Sequence, residues 1–141
     1  MAVVNESGMV NFQCAGEIIY EGHCYVPSSG RMTKTTTVSD DVVIAAESSI
    51  DDLGVAKLLT AGQTMPFFVP GCGKTVKVAS KTTITYTLLC AVYLSTTDGL
   101  VDTSSSGATM IGHYAGPNNV ATSADGDLID VILDVPIGGL A

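Results

Sequence analysis

Threonine and aliphatic residues alternate in short runs along much of this chain, and Gly, Pro, Ser and Asp interrupt the runs. A period of two places successive side chains on opposite faces of a strand, so the alternation predicts half-buried β-strands. Turn-forming residues recur roughly every 8 to 12 positions, which is typical of small barrels and sandwiches. The sequence therefore predicts an all-β fold, either a small β-barrel or a β-sandwich.

The clearest alternations define five predicted strands: residues 35–38, 41–45, 83–88, 92–94 and 100–101. Residues 39–40 (Ser-Asp) are the predicted turn between the first two. Residues 98–99 (Asp-Gly) predict a hairpin between the last two, because Asp-Gly readily adopts the positive φ angles of a tight turn. Pro66, Pro70 and Pro136 are expected at edge strands or in turns, since proline has no N–H for a strand ladder.

One segment leaves two alternatives open. Residues 49–52 (Ser-Ile-Asp-Asp) resemble a capping box with Asp in place of Glu, and this indicates a short helix that continues to Lys57. Gly54 lies inside that segment and disfavours a helix by about 1 kcal/mol relative to alanine. The other interpretation is a turn that leads into a strand.

Residues 53–69 and 111–133 read as two versions of one unit. Each begins with an aliphatic-Gly strand, continues through a turn in which Gly62 or Gly126 precedes a polar residue, and ends in an apolar second strand. Such a unit buries one face and exposes the other, so it builds a scaffold. The repeated unit carries no group that performs chemistry.

The ends of the chain differ from the middle, which predicts three parts: an N-terminal arm (1–12), one β domain (13–135) and a short apolar tail (136–141). Either end is a disordered terminus or an arm that orders on a neighbouring subunit by adding a strand to its sheet. Our hypothesis is that the arm contacts a partner through its apolar residues: Val3, Val4, Met9, Val10 and Phe12.

Charge excludes one class of partner. The formal net charge is −8, and only 14% of residues are charged against a usual value of about 25%. All six basic residues lie between positions 31 and 81, and the remainder of the chain to residue 141 has six aspartates and no Lys or Arg. A binder of free nucleic acid needs a basic stripe to displace counterions from phosphates. We therefore expect no free nucleic acid as a partner, and a weakly charged surface that is cheap to bury against protein.

The motifs that could carry chemistry fail on spacing. Residues 71–75 (Gly-Cys-Gly-Lys-Thr) end like a phosphate-binding loop, but Phe68 and Pro70 stand where that loop needs glycine and a backbone donor, so a glycine-bounded turn is expected. The four cysteines lie too far apart for a zinc site. His23 and His113 have no nucleophile motif beside them. We expect no enzyme, no cofactor and no metal.

No targeting segment and no apolar stretch near the roughly 18 residues of a membrane span is visible, so we expect no membrane partner. In a cytosol-like compartment the four cysteines are expected as free thiols.

The order of these elements resembles that of tailed-phage capsid cement proteins, also called head decoration or capsid-stabilising proteins. The resemblance spans roughly residues 22 to 134. It rests on small residues, glycines and aliphatics in order: residues 54–56, 61–63, 91–94, 111–112, 126–127 and 131–133. The serine-rich loop 103–109, the segment 57–59 and the cysteines depart from the family pattern.

The resemblance implies a compact β-barrel or sandwich, made in the host cytoplasm and located on the outer surface of a viral capsid. It also implies a homotrimer that binds the major capsid protein at capsomer junctions. Two alternatives from the residues remain. One is a receptor- or carbohydrate-binding β domain with Tyr86, Tyr93 and Tyr114 as a sugar platform, although these side chains also suit the core. The other is a tail or fibre subunit.

Overall fold

The computed structural model describes residues 8–35, 41–95, 98–105 and 109–135. These residues form strands and turns with no helix, which confirms the predicted all-β fold. The strands, numbered along the chain, are β1 (Met9–Gln13), β2 (Cys24–Ser28), β3 (Arg31–Lys34), β4 (Val43–Ala45), β5 (Thr64–Phe68), β6 (Thr75–Ser80), β7 (Thr85–Tyr86), β8 (Ala91–Leu94), β9 (Val101–Asp102), β10 (Met110–Tyr114), β11 (Val120–Ala121) and β12 (Asp127–Ile132).

The first five strands form a strongly curled sheet in the order β1-β5-β4-β2-β3. Its two edges meet where Cys14, directly after β1, forms a parallel bridge with Met32 of β3. The N–H of Ala15 donates to the Met32 carbonyl at 2.9 Å and holds this closure. We call this barrel-like sheet unit 1.

The later strands form a closed barrel in the order β10-β12-β6-β9-β8. It closes where Ser80 of β6 pairs in parallel with Val101 of β9, and the N–H of Lys81 donates to the Val101 carbonyl at 3.0 Å. β7 and β11 form a small two-stranded sheet beside it. We call the barrel, together with this small sheet, unit 2.

The two units have the same topology and the same register. β1, β2, β3, β4 and β5 of unit 1 correspond in pairing and direction to β6, β8, β9, β10 and β12 of unit 2. For every pair of neighbouring strands, the residues paired in unit 1 have equivalents that are paired in unit 2. The equivalent pairs include Met9–Phe68 and Thr75–Ile132, Cys24–Ile44 and Ala91–His113, Pro27–Met32 and Leu94–Val101, and Ala45–Phe67 and Tyr114–Val131. The chain is therefore a tandem duplication of one five-stranded barrel.

The turn before the last strand of each unit shows why the two halves fold alike. Gly62 and Gly126 have φ angles of 94° and 92°, a region that favours glycine. The N–H of each glycine donates to the end of the first strand of its unit, at 2.8 Å, with the carbonyls of Cys14 and Ser80 as acceptors. The turn thus fixes the register of the last strand against the first.

The repeat predicted from the sequence is therefore confirmed only in part. The Gly62 and Gly126 turns and the second strands correspond as predicted. The first strands do not correspond as predicted. The strand of unit 1 that is equivalent to β10 is β4, whereas residues 53–56, which were predicted to be that strand, lie in an exposed loop.

The two units share a core. Cys24, Val42 and Ile44 of unit 1 are at most 1% exposed and pack in one apolar cluster with the interior of unit 2. Burial raises the pKa of the Cys24 thiol to about 12. The opposite face of unit 1 surrounds its own interior cluster, in which Tyr25 and Phe67 meet edge to face at 5.7 Å between ring centroids. Alternate residues of β2 and β4 therefore serve two different cores.

The structure corrects two strand predictions. Residues 83–88 were expected to form one strand, but only Thr85–Tyr86 do, and Thr83 has a φ angle of 60°. This segment pairs with β11 in a separate two-stranded sheet, and Tyr86 is fully buried. Pro66 was expected at an edge or turn, but it lies in β5 between β1 and β4. It lies where the β4 ladder ends: the Pro66 carbonyl still accepts from the N–H of Ala46 at 3.0 Å, so the missing N–H removes at most one bond at the end of the ladder.

Other local predictions are confirmed. β8 pairs with β9 as the predicted hairpin, and Asp98 and Gly99 have φ angles of 44° and 71°. Pro70 lies in a turn. Of the predicted pair of strands around residues 39–40, residues 43–45 form β4 and Thr35 follows β3, while residues 36–40 lie outside the described part of the chain, as does Pro136.

The predicted boundary between arm and domain falls inside a strand. Met9, Val10 and Phe12 belong to β1, which pairs along its whole length with β5. The Phe12 ring lies 6.1 Å from that of Phe67 between centroids. Residues 9–12 are therefore integral to unit 1, whereas Val3 and Val4, like the tail 136–141, lie outside the described residues.

We predict that deleting residues 1–12 lowers the free energy of unfolding by at least about 3 kcal/mol, because it removes the β1–β5 ladder and the Phe12 contact. Urea denaturation followed by circular dichroism measures this. Deletion of residues 1–7, which spares β1, is the matched control. Equal stability of the two shortened proteins would contradict the assignment of β1 to the sheet.

Candidate interaction surface

A hydrogen-bonded hairpin (residues 49–58) occupies part of the connection between β4 and β5. The N–H of Lys57 donates to the Ser49 carbonyl at 2.9 Å, and the N–H of Asp51 donates to the Val55 carbonyl at 2.8 Å. Ile50 and Ala56 form an antiparallel bridge between these contacts. We call this element the apolar hairpin.

The tip of the apolar hairpin is a tight, internally capped turn. The N–H of Gly54 donates to the Asp51 carbonyl at 3.0 Å, and Gly54 has a φ angle of 79°. This is the pattern of a type I turn followed by a glycine bulge. The Asp51 carboxylate accepts from the N–H groups of Leu53 and Val55 at 2.9 and 3.0 Å. Of the two interpretations of this segment the helix is therefore wrong, because Asp51 caps a turn.

The base of the hairpin is anchored in unit 1. The Ser49 hydroxyl donates to the Lys57 carbonyl at 2.7 Å and accepts from the N–H of Ile19 at 2.8 Å. Ser49 is 3% exposed and Leu59, next to the hairpin, is 7% exposed. The hairpin is thus tied to the domain through buried groups at its base.

The hairpin presents aliphatic side chains to solvent. Leu53 at the tip is 87% exposed, and three further aliphatic side chains on the hairpin are between 54% and 64% exposed: Ile50, Val55 and Leu58. Exposed aliphatic groups are common singly, but several on one ordered element mark a contact surface. This surface was not predicted from the sequence, although the closely spaced aliphatic residues on both sides of Asp51-Asp52 and Gly54 were its signal.

The hairpin is an addition to the duplicated unit. Residues 46–61 separate β4 from Gly62, whereas the shorter segment 115–125 separates β10 from Gly126. In unit 2 this connection folds back as β11, which pairs with β7. The extra length of unit 1 therefore builds the hairpin and is not needed for the barrel.

A shallow groove of about 370 Å³ lies on unit 2 between β12 and the β11 segment. Its polar lining includes the ion pair of Lys77 and Asp130 at 2.7 Å, with both side chains partly exposed. The Tyr114 hydroxyl points at its wall and donates to the Pro117 carbonyl at 2.8 Å. These polar groups are paired with one another, so the groove offers little unsatisfied chemistry to a ligand.

Residues 71–75, which end like a phosphate-binding loop, form a turn that leads into β6. The N–H groups of Gly71 and Gly73 both donate to the Leu133 carbonyl, at 3.0 and 2.9 Å. Backbone donors that a phosphate would require are therefore used to join the two units, as the expected glycine-bounded turn allows.

The two histidines have different surroundings. The Nδ1 atom of His113 lies 2.8 Å from the Asp134 carboxylate on the surface of unit 2. His23 lies between the units, with its ring 5.4 Å from that of Tyr20 and its Nδ1 buried with no hydrogen bond to any of the described residues. Within the described residues, no cluster of three metal-ligating side chains occurs.

Two of the three tyrosines considered for a sugar platform are buried. Tyr86 and Tyr114 are 0% and 3% exposed and stack at 5.0 Å between ring centroids. The Tyr86 hydroxyl lies 2.7 Å from the Ser80 hydroxyl, and burial raises the pKa of Tyr86 to about 12. Tyr93 is half-buried on the outside of the barrel. The rings cannot form one exposed platform.

All four cysteines are free thiols; Cys14 and Cys24 are buried, and Cys72 and Cys90 are half-buried. None of the described residues forms a helix that is long and apolar enough to cross a membrane. No family model matches the chain, and no curated protein matches it either.

We predict that acid weakens the contact between the units through His23. Burial, followed by the charge of Lys34, holds the pKa of His23 below its ordinary value of 6.5, despite the opposing influence of Asp98. The unfolded chain therefore binds a proton more readily, so stability is complete above about pH 6.5 and falls as the pH drops toward the folded pKa.

Urea midpoints measured between about pH 7.5 and pH 5 test this. The wild type should lose stability on acidification more steeply than His23→Gln. Identical slopes for the two proteins would show that His23 does not control this transition.

Proposed function

We propose that this chain is a non-enzymatic structural protein of a viral capsid that binds the outer surface of the shell at capsomer junctions. Its partners are the major capsid protein and further copies of itself in a homotrimer. The observation that carries this proposal is the apolar hairpin, an ordered element whose aliphatic side chains project from a rigid domain. The resemblance to capsid cement proteins supports the choice of partner.

The energetics suit a repetitive shell. Burying one leucine or valine side chain contributes roughly 1.5–3 kcal/mol, so one hairpin with Leu53, Val55 and Leu58 gives a modest contact. Three copies held in one trimer bind several equivalent sites together, and avidity then raises the total affinity by orders of magnitude. Weak contacts repeated by symmetry are sufficient for a protein that reinforces junctions between capsomers.

The N-terminal residues supply a second proposed contact. Val10 is 39% exposed on β1 and lines a groove of about 320 Å³ with Val69, Pro70 and Cys72. Gly8 also lines this groove, and Val3 and Val4 precede Gly8 in the sequence. We propose that they extend the capsid contact that the hairpin begins.

We predict that Leu53→Asp lowers the affinity for undecorated, expanded capsids by at least about tenfold, because it places a charge in an apolar contact. Co-sedimentation of purified protein with these capsids gives the bound fraction. Leu88→Asp is the matched control, since Leu88 is a 59% exposed leucine on unit 2. A chain lacking residues 1–7 tests the N-terminal contact in the same assay.

Saturable binding by the wild type, retained by Leu88→Asp and weakened in Leu53→Asp, would support the proposal. Absence of wild-type binding to a matched shell would remove it. Equal binding of all variants would exclude the hairpin as the contact.

A further inference from the structure

The contact between the two units is heterologous, which means that each unit uses a different surface. Unit 1 contributes the outer face of its sheet, where Cys24 and Ile44 are fully buried and Val26 and Phe68 pack against the shared core. Unit 2 contributes the edge at its β8–β9 turn. The Gly99 carbonyl accepts from the N–H of Cys24 at 2.8 Å.

This contact leaves no room for side chains at the turn. A Cβ atom on Gly99 would lie 2.6 Å from the Cys24 carbonyl oxygen, so the backbones of the two units touch. A second backbone bond, from the N–H of Ala79 to the Gly22 carbonyl at 2.8 Å, lies nearby on β6. The outer face of one unit and the turn edge of the other are therefore closely complementary.

Because the two units have the same fold, unit 2 also has an outer sheet face and unit 1 also has a turn edge, and among the described residues neither of these takes part in the contact between the units. The face of unit 2 equivalent to the buried face of unit 1 consists of half-buried residues: Ala91, Tyr93, His113 and Ile132. The edge of unit 1 equivalent to the Gly99 edge contains Gly30 and Arg31. Both are exposed, and a Cβ on Gly30 would meet nothing within 4 Å.

Gly30 and Gly99 are equivalent in conformation as well as position. Each has a positive φ angle, 79° and 71°, and each follows a residue with positive φ. In unit 1, residues 28–31 connect the paired residues Pro27 and Met32. In unit 2, residues 95–100 connect the equivalent pair, Leu94 and Val101, so this turn is two residues longer. The backbone that docks on Cys24 within the chain thus has a counterpart on unit 1.

We propose that these two surfaces bind each other between copies: the Gly30–Arg31 edge of one copy docks on the Ala91–Tyr93–His113–Ile132 face of the next. A heterologous contact repeated in this way forms a ring where its rotation closes and a filament where it does not. This deepens the homotrimer of the proposed function, and such a trimer would be a ring of six barrels. The contact does not depend on a capsid partner.

Charge supports a second copy as the occupant. The buried Leu100 of unit 2 is replaced at the equivalent position of unit 1 by the exposed Arg31. The buried Ile44 is replaced in unit 2 by His113, which pairs with Asp134, a side chain 43% exposed. The counterparts of the apolar Leu100 and Ile44 are therefore the basic Arg31 and a histidine paired with the carboxylate of Asp134, and this favours pairing of Arg31 with Asp134 of the next copy.

Sedimentation velocity over a concentration series tests this with the full chain and no capsid. The wild type should self-associate, and Arg31→Glu and Asp134→Arg should each raise the dissociation constant at least about tenfold. The double variant, which exchanges the charges, should restore association. Lys57→Glu, an exposed charge change on the apolar hairpin, is the matched control and should behave as the wild type.

A wild type that stays monomeric would overturn the proposal, as would association unchanged by Arg31→Glu, whose exposed side chain carries little risk to folding. Failure of the charge exchange to restore binding with both single variants folded would also overturn it. A monomeric wild type would also remove the avidity that the trimer supplies, whereas the co-sedimentation assay measures the hairpin contact separately.

Discussion

The architecture depends on the burial of one sheet face of unit 1 against the barrel of unit 2. Cys24 and Ile44 lie at the centre of that contact, and Gly99 brings the second backbone directly onto the first. A five-stranded barrel of this size buries little apolar surface by itself, so the shared core stabilises both units. It also fixes the orientation of the apolar hairpin and of the open face on unit 2, because both are attached to strands that build this core.

The duplication shows how a fold persists while its residues change. Register is set by the pleat and by the turns, since a shift of one residue would reverse every inward and outward side chain. Interior positions therefore stay apolar or small, as with Tyr25 and Val92, although the residues differ. Exposed connections are under no such constraint, and unit 1 uses one of them for the apolar hairpin. The scaffold and the apolar hairpin are thus separate parts of the same chain.

The sequence predicted those features that local patterns determine. The alternation gave the all-β class, and Asp98-Gly99 and the Gly126 turn gave hairpin positions, because positive φ angles have a clear residue signature. Pairing between distant strands has no such signature, so the duplicated barrels and the place of β1 in the sheet were missed. The segment around Tyr86 alternates like a strand, but only Thr85 and Tyr86 pair, with β11, because tertiary packing overrides propensity there. The hairpin was missed because exposure depends on the fold.

The central claim is that two barrels with one register fold as a single body through the shared core. Amide hydrogen exchange of the Phe67→Ala protein tests this most directly, because that change removes packing worth about 3–5 kcal/mol from the interior cluster of unit 1, to which no described residue of unit 2 belongs. The account predicts that protection falls by the same free energy in β5 of unit 1 and in β12 of unit 2. Loss of protection confined to unit 1, with β12 unchanged, would show that the units are independent and would contradict the account.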